Sequence, residues 1–490
     1  GPAPPPSRYA HLPTGGNEAL EEKRAAVREA FTHSWEGYRA YAWGRDEFQP
    51  VSRRPKNDWI GLGLTVVDAL STLWLMGLRT EFDEARAWVR DSLDVEKALS
   101  KPVSFFETTI RCLGGLLSAH DLSGDSLFLE KALTVGERLA EAFKSPSGLP
   151  YSQINLHTGA GSVPSWTGGN VLLAEVGTVQ LEFATLAHRA GRPELAHRAE
   201  AVLDLLAHAH PGGAMTTDGG GKLFPLFVSP TTARFSSSSV SFGAMGDSFY
   251  EYLLKLYLLE GRTKPQHLAL FRATMAALRA RLLFQSADGL WYVGELNKRG
   301  QVVHKMDHLA CFVPGLLALS AMRLRDEDPQ ASEADLALAK ELTRTCYAMY
   351  ERQPTGVAPE FVRFSPERGM HNGQNHNLLR PEALEAIFLL WRATKDPQYR
   401  EWGWRIFVAF DRWCRVPSGG FAGIKDVTSP HPAKDDTMQS FWLAETLKYL
   451  YLLLSEDDLL DLNTWVLNTE AHPLRAMGGE TRGAQAKEGA

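Results

Sequence analysis

The chain has 490 residues, 44% of them apolar and 22% charged, with 52 Lys plus Arg against 58 Asp plus Glu and a formal net charge of −6. This is globular make-up, which excludes a long disordered, collagen-like or fibrous protein. No basic surplus is available to displace counterions, so nucleic acid is excluded as a partner. The longest dense apolar run, Leu447 to Leu454, is too short to span a bilayer.

Along the chain the strand signal is weak and helical spacing dominates. Gly1-Pro2, running into Pro4-Pro5-Pro6, reads as a trimmed or engineered start without a secretory signal, and an anchor upstream of it is left open. Ala25–Trp43 is amphipathic. In Thr65–Leu78, Val67, Leu70, Leu73, Trp74 and Leu78 recur mostly at three- and four-residue steps. Phe105–Leu122, Leu172–Leu186, Ser248–Leu259, Leu268–Leu283, Cys311–Met322, Ala383–Thr394 and Phe441–Leu454 follow the same rule. Pro211-Gly212-Gly213, Gly219-Gly220-Gly221, Ser236–Ser239 and Ser418-Gly419-Gly420 supply turn chemistry between them. Length alone suggests about three domains, yet no composition break marks a linker. The expectation is a single all-α domain over residues 16–474, flanked by flexible segments at 1–15 and 475–490.

Seven of the apolar segments carry a polar or charged residue in unexpected company: Asp68, Glu107, Glu175, Asp247, His308, Glu382 and Glu445. After a first gap of 39 residues, successive gaps run from 61 to 74, room for two helices and their loops. Seven such hairpins account for the length. They could stack as an open solenoid or close into a toroid. Converging carboxylates favour closure, because a ring brings one end of every inner helix to a common cavity.

Carboxylates in apolar segments are costly unless paired, hydrogen-bonded or metal-linked. Singly, each has a plainer role: Asp247 suits a helix N-cap, and Glu382 after Pro381 suits a helix first turn. Taken together they point to a shared acidic cavity. Glu251 lies one turn after Asp247, Glu385 three residues after Glu382, and Arg111 four after Glu107, where it can balance that charge. Carboxylates accept hydroxyl hydrogen bonds and aromatic rings cover sugar faces, so a neutral polyol suits such a cavity. Two carboxyls suffice for glycoside hydrolysis, and an oxygen-rich site suits calcium. Four cysteines without a C-x-x-C pair make structural zinc improbable and leave three full pairings open.

These segments resemble the class I α-1,2-mannosidases, glycoside hydrolase family 47, from about Gly16 to Leu474. The resemblance is carried by Gly61–Leu70, by Phe106-Glu107-Thr108-Thr109-Ile110-Arg111 with Gly114–Ala119, and by Asp247–Lys255. Met306–Phe312, Leu379–Glu382, Ser440–Tyr451 and Asn468–Pro473 continue it in order. It implies an (α/α)₇ barrel and inverting hydrolysis of terminal α-1,2-mannose on high-mannose N-glycans, with one Ca²⁺. Glu107 matches the general acid, acting through a water, Glu382 the base and Asp247 a third catalytic carboxylate, the acid and base roles among the three being debatable. Inversion implies acid and base about 6.5–9.5 Å apart. Thr469 matches the direct calcium ligand. Glu175, Glu251, Glu360, Glu385, Glu445 and Glu470 match the acidic surround. Asp68, Arg111, Met245, His308, Arg380 and Phe441 match substrate-contact or site-shaping positions.

Cys311 and Cys346 match the family's disulfide, which implies an oxidising compartment. The implied location is the lumen of the endoplasmic reticulum or Golgi, or secretion, as a monomer with no membrane contact of its own. Met245 stands where strict reticulum members carry Arg and Golgi members Leu, which implies broader trimming. Trp43-Gly44-Arg45-Asp46-Glu47 and Gly61–Leu64 look closer to the reticulum type, so the compartment stays open. Three rival readings remain. One is a family-47-like glycan-binding protein of glycoprotein quality control with weak or no hydrolysis. Another is a terpene-cyclase-like toroid, whose D-D-x-x-D pattern occurs once, at Asp457–Asp461, where a solvated turn is the plainer reading. The third is a scaffold solenoid, which leaves the inward acids unexplained.

Overall fold

The computed structural model of the protein describes residues 6–208, 215–216 and 220–477. Helices come in two kinds, and the difference sets their place. Leu64–Leu75 buries eleven of its twelve residues, and Asp247–Leu259 buries twelve of thirteen. Helices apolar on all sides must be covered all round. Arg79–Ser92 buries only Phe82, Ala85 and Val89, one stripe of an otherwise polar cylinder. The first kind forms an inner ring and the second wraps it.

The inner members are Leu64–Leu75, the helical run 105–123, Gln180–Ala190, Asp247–Leu259, Phe312–Arg323, Glu382–Thr394 and the run 442–453. Six are followed by their outer partners, Arg79–Ser92, Ser126–Ala140, Pro193–His208, Pro265–Arg281, Pro329–Glu351 and Pro397–Trp413. The seventh pair joins the two ends of the chain: Leu20–Ala42 packs on run 442–453, which also meets Leu64–Leu75. The ring is therefore closed, an (α/α)₇ barrel, and the open solenoid is set aside.

A two-stranded antiparallel hairpin, Trp465–Leu467 with Pro473–Arg475, packs on the Asp247 helix and on Gly114–Ser123. Its turn, residues 468–472, carries Thr469 and Glu470 inward. Met477 N–H then donates to Leu259 O at 2.8 Å. Of the N-terminal segment, Ser7 donates to Asp411 (3.1 Å) and Tyr9 donates to Glu29 (2.6 Å). Residues 1–5 and 478–490, parts of the two segments expected to be flexible, lie outside the described residues, as do the Pro211-Gly212-Gly213 turn and Gly219.

Minor sheets accompany the helices, and two expectations need correction. The described residues include eight small sheets of two or three strands. Their ladders are mostly two or three residues long, too short to leave a period-two pattern. Leu172–Leu186 is not one helix: Val171–Leu172 pairs with Phe227–Val228, Leu173–Gly177 is helical, and a break at Thr178-Val179 precedes Gln180. A continuous apolar run does not distinguish buried strand from buried helix. Asp247 is the first helical residue rather than the cap, which is Gly246. The solvated-turn reading of Asp457–Asp461 agrees with the structure: Asp457–Leu460 is a single 3₁₀ turn with Asp457, Asp458 and Leu459 exposed and Leu460 buried, and Asp457 pairs with Lys395 at the surface.

Candidate active site

A cavity of about 280 Å³ opens at one end of the ring. Eight carboxyls border it, those of Glu107, Glu175, Asp247, Glu251, Glu382, Glu385, Glu445 and Glu470, against two guanidiniums, Arg111 and Arg380. Met245, Phe441 and Thr469 complete the positions expected there. Asp68, His308 and Glu360 stand one step behind.

Two inner helices are distorted where they reach the cavity. Ser104 caps the Glu107 helix, its hydroxyl accepting from Glu107 N–H at 3.1 Å. The helix then widens into π turns over Thr108–Leu113, and a second π segment, Trp442–Thr446, holds Glu445. Such bulges free backbone carbonyls and re-aim side chains. Arg111, one turn on from Glu107, donates from Nε to Glu107 (2.7 Å) and from Nη1 to Glu470 (2.6 Å) and Ser440 (2.9 Å). Its guanidinium lies 5.0 Å from the Trp59 ring and 5.7 Å from Phe441.

Behind Arg111, Asp68 accepts from Ser440 Oγ (2.5 Å) and His472 Nε2 (2.9 Å). Burial pushes the Asp68 carboxyl up, but the His472 hydrogen bond and the Arg111 charge outweigh it and leave it below its ordinary value. Burial lowers His472 to about 4, so the ring is neutral and donates from Nε2 to Asp68. Its Nδ1 then accepts from Ser71 Oγ at 3.1 Å. Lys448 donates to Ser71 Oγ (2.9 Å) and Ala471 O (2.5 Å).

Glu382 begins its helix after Pro381 and accepts from His308 Nδ1 at 2.8 Å. Burial raises it, but the His308 hydrogen bond and the His308 and Arg380 charges hold it below the ordinary glutamate value. Glu382 is thus ionised, so His308 Nδ1 carries the proton. His308 Nε2 lies 2.8 Å from Tyr350 Oη, and burial with the Glu382 charge keeps the Tyr350 proton on. Arg380 donates to Glu360 (2.8 Å). Cys311 and Cys346 are disulfide-bonded with Cα atoms 5.9 Å apart. The bond ties the His308–Cys311 turn to the helix that carries Tyr350, one turn beyond Cys346. Cys112 and Cys414 are buried free thiols.

The Asp247 side lacks such pairing. Burial, then the charges of Glu251 and Glu382, push Asp247 up to about 7. Glu251 and Glu385 share one cation, Lys255, at 2.5 and 3.7 Å. Burial raises Glu385, Glu445 and Glu470, each further raised by neighbouring carboxylates. Burial, with a smaller push from the Glu107 charge, lifts Glu175 to about 7, with Oε2 unpartnered. Met245 adopts φ 73° at the rim, its carbonyl accepting from Ala174 N–H at 2.9 Å. A side-chain-bearing residue in that conformation costs roughly 1–3 kcal/mol, strain of the sort held at functional sites.

The sequence reading missed Ser440, His472, Lys448, Tyr350 and Lys255. Only Lys255 had a local signal, four residues after Glu251; the others reach their partners from distant segments. Protein donors at the cavity floor are all oxygen, which suits a hard cation. No group of three His, Cys, Asp or Glu among the described residues is arranged to ligate a metal directly.

A model of the family described as "Glycosyl hydrolase family 47" matches residues 30–476. Mannosyl-oligosaccharide 1,2-alpha-mannosidase MNS1 of Arabidopsis thaliana is 45% identical over 459 residues, 93% of this chain and 79% of that protein. The endoplasmic reticulum mannosyl-oligosaccharide 1,2-alpha-mannosidase of Homo sapiens is 44% identical over 490 residues, 96% of this chain and 68% of that protein. The solved α-1,2-mannosidase from Trichoderma reesei superposes with a TM-score of 0.86 at 27% identity, covering 93% of this chain and 99% of that one.

Proposed function

We propose, from the premise that the chain belongs to glycosyl hydrolase family 47, that it is a calcium-dependent, inverting exo-α-1,2-mannosidase. Its substrate is the terminal mannose of high-mannose N-glycans on glycoproteins, in the lumen of the secretory pathway, and residues 16–474 form its single catalytic domain. The observation that carries the reading is the excess of eight carboxyls over two guanidiniums around one cavity. Hydroxyl-rich sugar supplies donors to those acceptors, and Phe441 offers a ring face.

Glu382 is the base. His308 holds it ionised and fixes its orientation, so it can take a proton from an attacking water. Glu107 is the acid, relaying a proton through water to the departing oxygen as the resemblance implies. One observation favours a second assignment: Asp247 keeps its proton up to about 7, whereas Glu107 is ion-paired to Arg111 at 2.7 Å. The alkaline limb of the pH–rate profile separates the two. It persists in Glu107→Gln if Asp247 is the acid and disappears if Glu107 is.

The raised carboxyls of Glu385, Glu445 and Glu470 mark negative charge that the protein's own cations leave uncompensated. That fits a bound calcium held by Thr469 through its hydroxyl and carbonyl, with Glu251, Glu385, Glu445 and Glu470 anchoring its waters. Calcium would orient sugar hydroxyls and stabilise charge. The rival reading, a glycan binder without hydrolysis, has no support in a missing carboxylate, because Glu107, Asp247 and Glu382 all border the cavity. A timed digest of a defined high-mannose glycan, with calcium and after chelation, tests the function. Release only with calcium is expected; no release with calcium would leave the binder.

A further inference from the structure

Glu182 lies in the inner helix Gln180–Ala190, fully buried, outside the cavity and outside the residues assigned above. Its Oε1 accepts two hydrogen bonds, from Tyr252 Oη at 2.6 Å and from Asn468 Nδ2 at 2.7 Å. Both donors lead to one place. Tyr252 Oη accepts from the Thr469 backbone N–H at 3.3 Å. Asn468 is the residue before Thr469, and its Oδ1 accepts from Glu470 N–H (2.9 Å) and His472 N–H (2.8 Å), which shapes the turn.

The same Asn468 amide spends its second donor on Ile110 O at 3.0 Å. That carbonyl belongs to the π segment Thr108–Leu113, between Glu107 and Arg111, where the widened turn releases it from the usual ladder. Gly114 makes the approach possible, since a Cβ there would stand 2.6 Å from Asn468 Nδ2. Three inner helices thus converge on the Asn468-Thr469 step: Glu182 and Ile110 O hold Asn468, and Tyr252 holds the Thr469 N–H. Glu182 Oε2 has no partner. A buried carboxyl whose second oxygen goes unsatisfied is costly, so a hydrophobic residue would serve the core better were packing its only task.

We infer that Glu182 is a positioning residue which, through Tyr252 and Asn468, fixes the Thr469 turn in register with the Glu107–Arg111 helix and so presets the protein's calcium ligands. The inference rests on the reading that Thr469 holds the cation. What it requires of Glu182 is an acceptor oxygen at one point rather than a charge. Burial pushes the carboxyl up to about 7, and the neutral acid presents the same acceptor.

The test is the calcium dissociation constant of the chelator-stripped full chain by titration calorimetry, with thermal unfolding of the metal-free chain beside it. Loss of such outer partners typically weakens metal affinity by about 10- to 100-fold. Glu182→Leu and Tyr252→Phe are each expected to raise the constant by about tenfold or more, while Glu182→Gln, which keeps the acceptor, stays within about threefold of the parent. Tyr252→Phe keeps the ring and decides the matter if Glu182→Leu does not fold. A purely structural Glu182 would lower the unfolding temperature and leave the calcium constant of folded variants unchanged, and that result overturns the inference. Equal loss in Glu182→Gln and Glu182→Leu overturns it as well, because charge and not acceptor geometry would then be at work. A parent chain that binds no calcium overturns the underlying reading of Thr469 and this inference with it.

Discussion

On one side of the cavity a single guanidinium, Arg111, serves Glu107, Glu470 and Asp68, and a neutral His472 adds a hydrogen bond to Asp68. On the other side Asp247, Glu251 and Glu385 have one lysine between them, and Asp247 is pushed up to about 7. The first side orders its acids by direct hydrogen bonds from Arg111, Ser440 and His472, with burial still raising Glu470. The second leaves them to hold protons or to bind something positive. A hydrolase of two carboxylates needs one group ionised and another protonated at the same pH, and Glu382, held ionised by His308, and Asp247, pushed up to about 7, meet that need with residues of the same kind.

The largest expected effect comes from breaking the compensated side. Arg111→Met leaves buried carboxylates unpaired, and removal of one partner from such a pair costs about 3–5 kcal/mol. Chemical denaturation should show that loss in Arg111→Met and a smaller one in Lys255→Met, whose neighbours can take up protons. Equal losses would erase the contrast. Next in size is Glu382→Gln, which keeps the helix start and the His308 contact but removes the base. Turnover should fall by about 10²-fold or more with substrate binding retained; turnover within threefold of the parent would move the base elsewhere.

A smaller effect is the pH dependence of the metal-free chain. Asp247, Glu175 and Glu182 all sit at about 7 when folded, above their unfolded values. The folded state therefore holds protons that the unfolded chain has released. Their contribution to stability is complete below the unfolded values of about 4 and is lost as pH rises through about 7. His472, lowered to about 4, works the opposite way up to its ordinary 6.5, but three groups outweigh one. The unfolding temperature after chelation should fall from about pH 5 to 7. Calcium should flatten the part of the fall that comes from Glu385, which is raised to about 8 and anchors the ion's waters in the proposed site, and a rise over that window would contradict the assignment.

The smallest effect concerns branch choice at the rim. Met245 cannot fork sugar hydroxyls as an arginine can. Met245→Arg should narrow the products of a timed digest toward one isomer, with total activity changed only modestly. An unchanged isomer pattern would remove Met245 from specificity.

Much of this architecture was legible in the sequence because inner helices need apolar residues on every face. A carboxylate inside such a segment, as in Phe106-Glu107-Thr108 or Ala444-Glu445-Thr446, therefore stands out. Spacing found the ring members, and i to i+4 geometry found Arg111 beside Glu107. The supports of the site were not legible. Glu182 sits between Leu181 and Phe183 in the same apolar company, but the repeat spacing picked out Glu175 instead. His472 reaches Asp68 from the far end of the chain, and the break at Thr178-Val179 falls in a segment whose apolar residues keep helical spacing, with Gly177 as its one local mark. The π turns over Thr108–Leu113 and Trp442–Thr446 are invisible to a helical period because they change it by only one residue per turn.

The central claim is an inverting, calcium-dependent cleavage of α-linked mannose by Glu382 and a proton donor across the cavity. Proton NMR of the first mannose released from a defined high-mannose glycan tests it most directly. The account predicts β-mannose as the initial product, appearing with calcium and ceasing after chelation. Initial α-mannose, or release that survives complete removal of the metal, would contradict it.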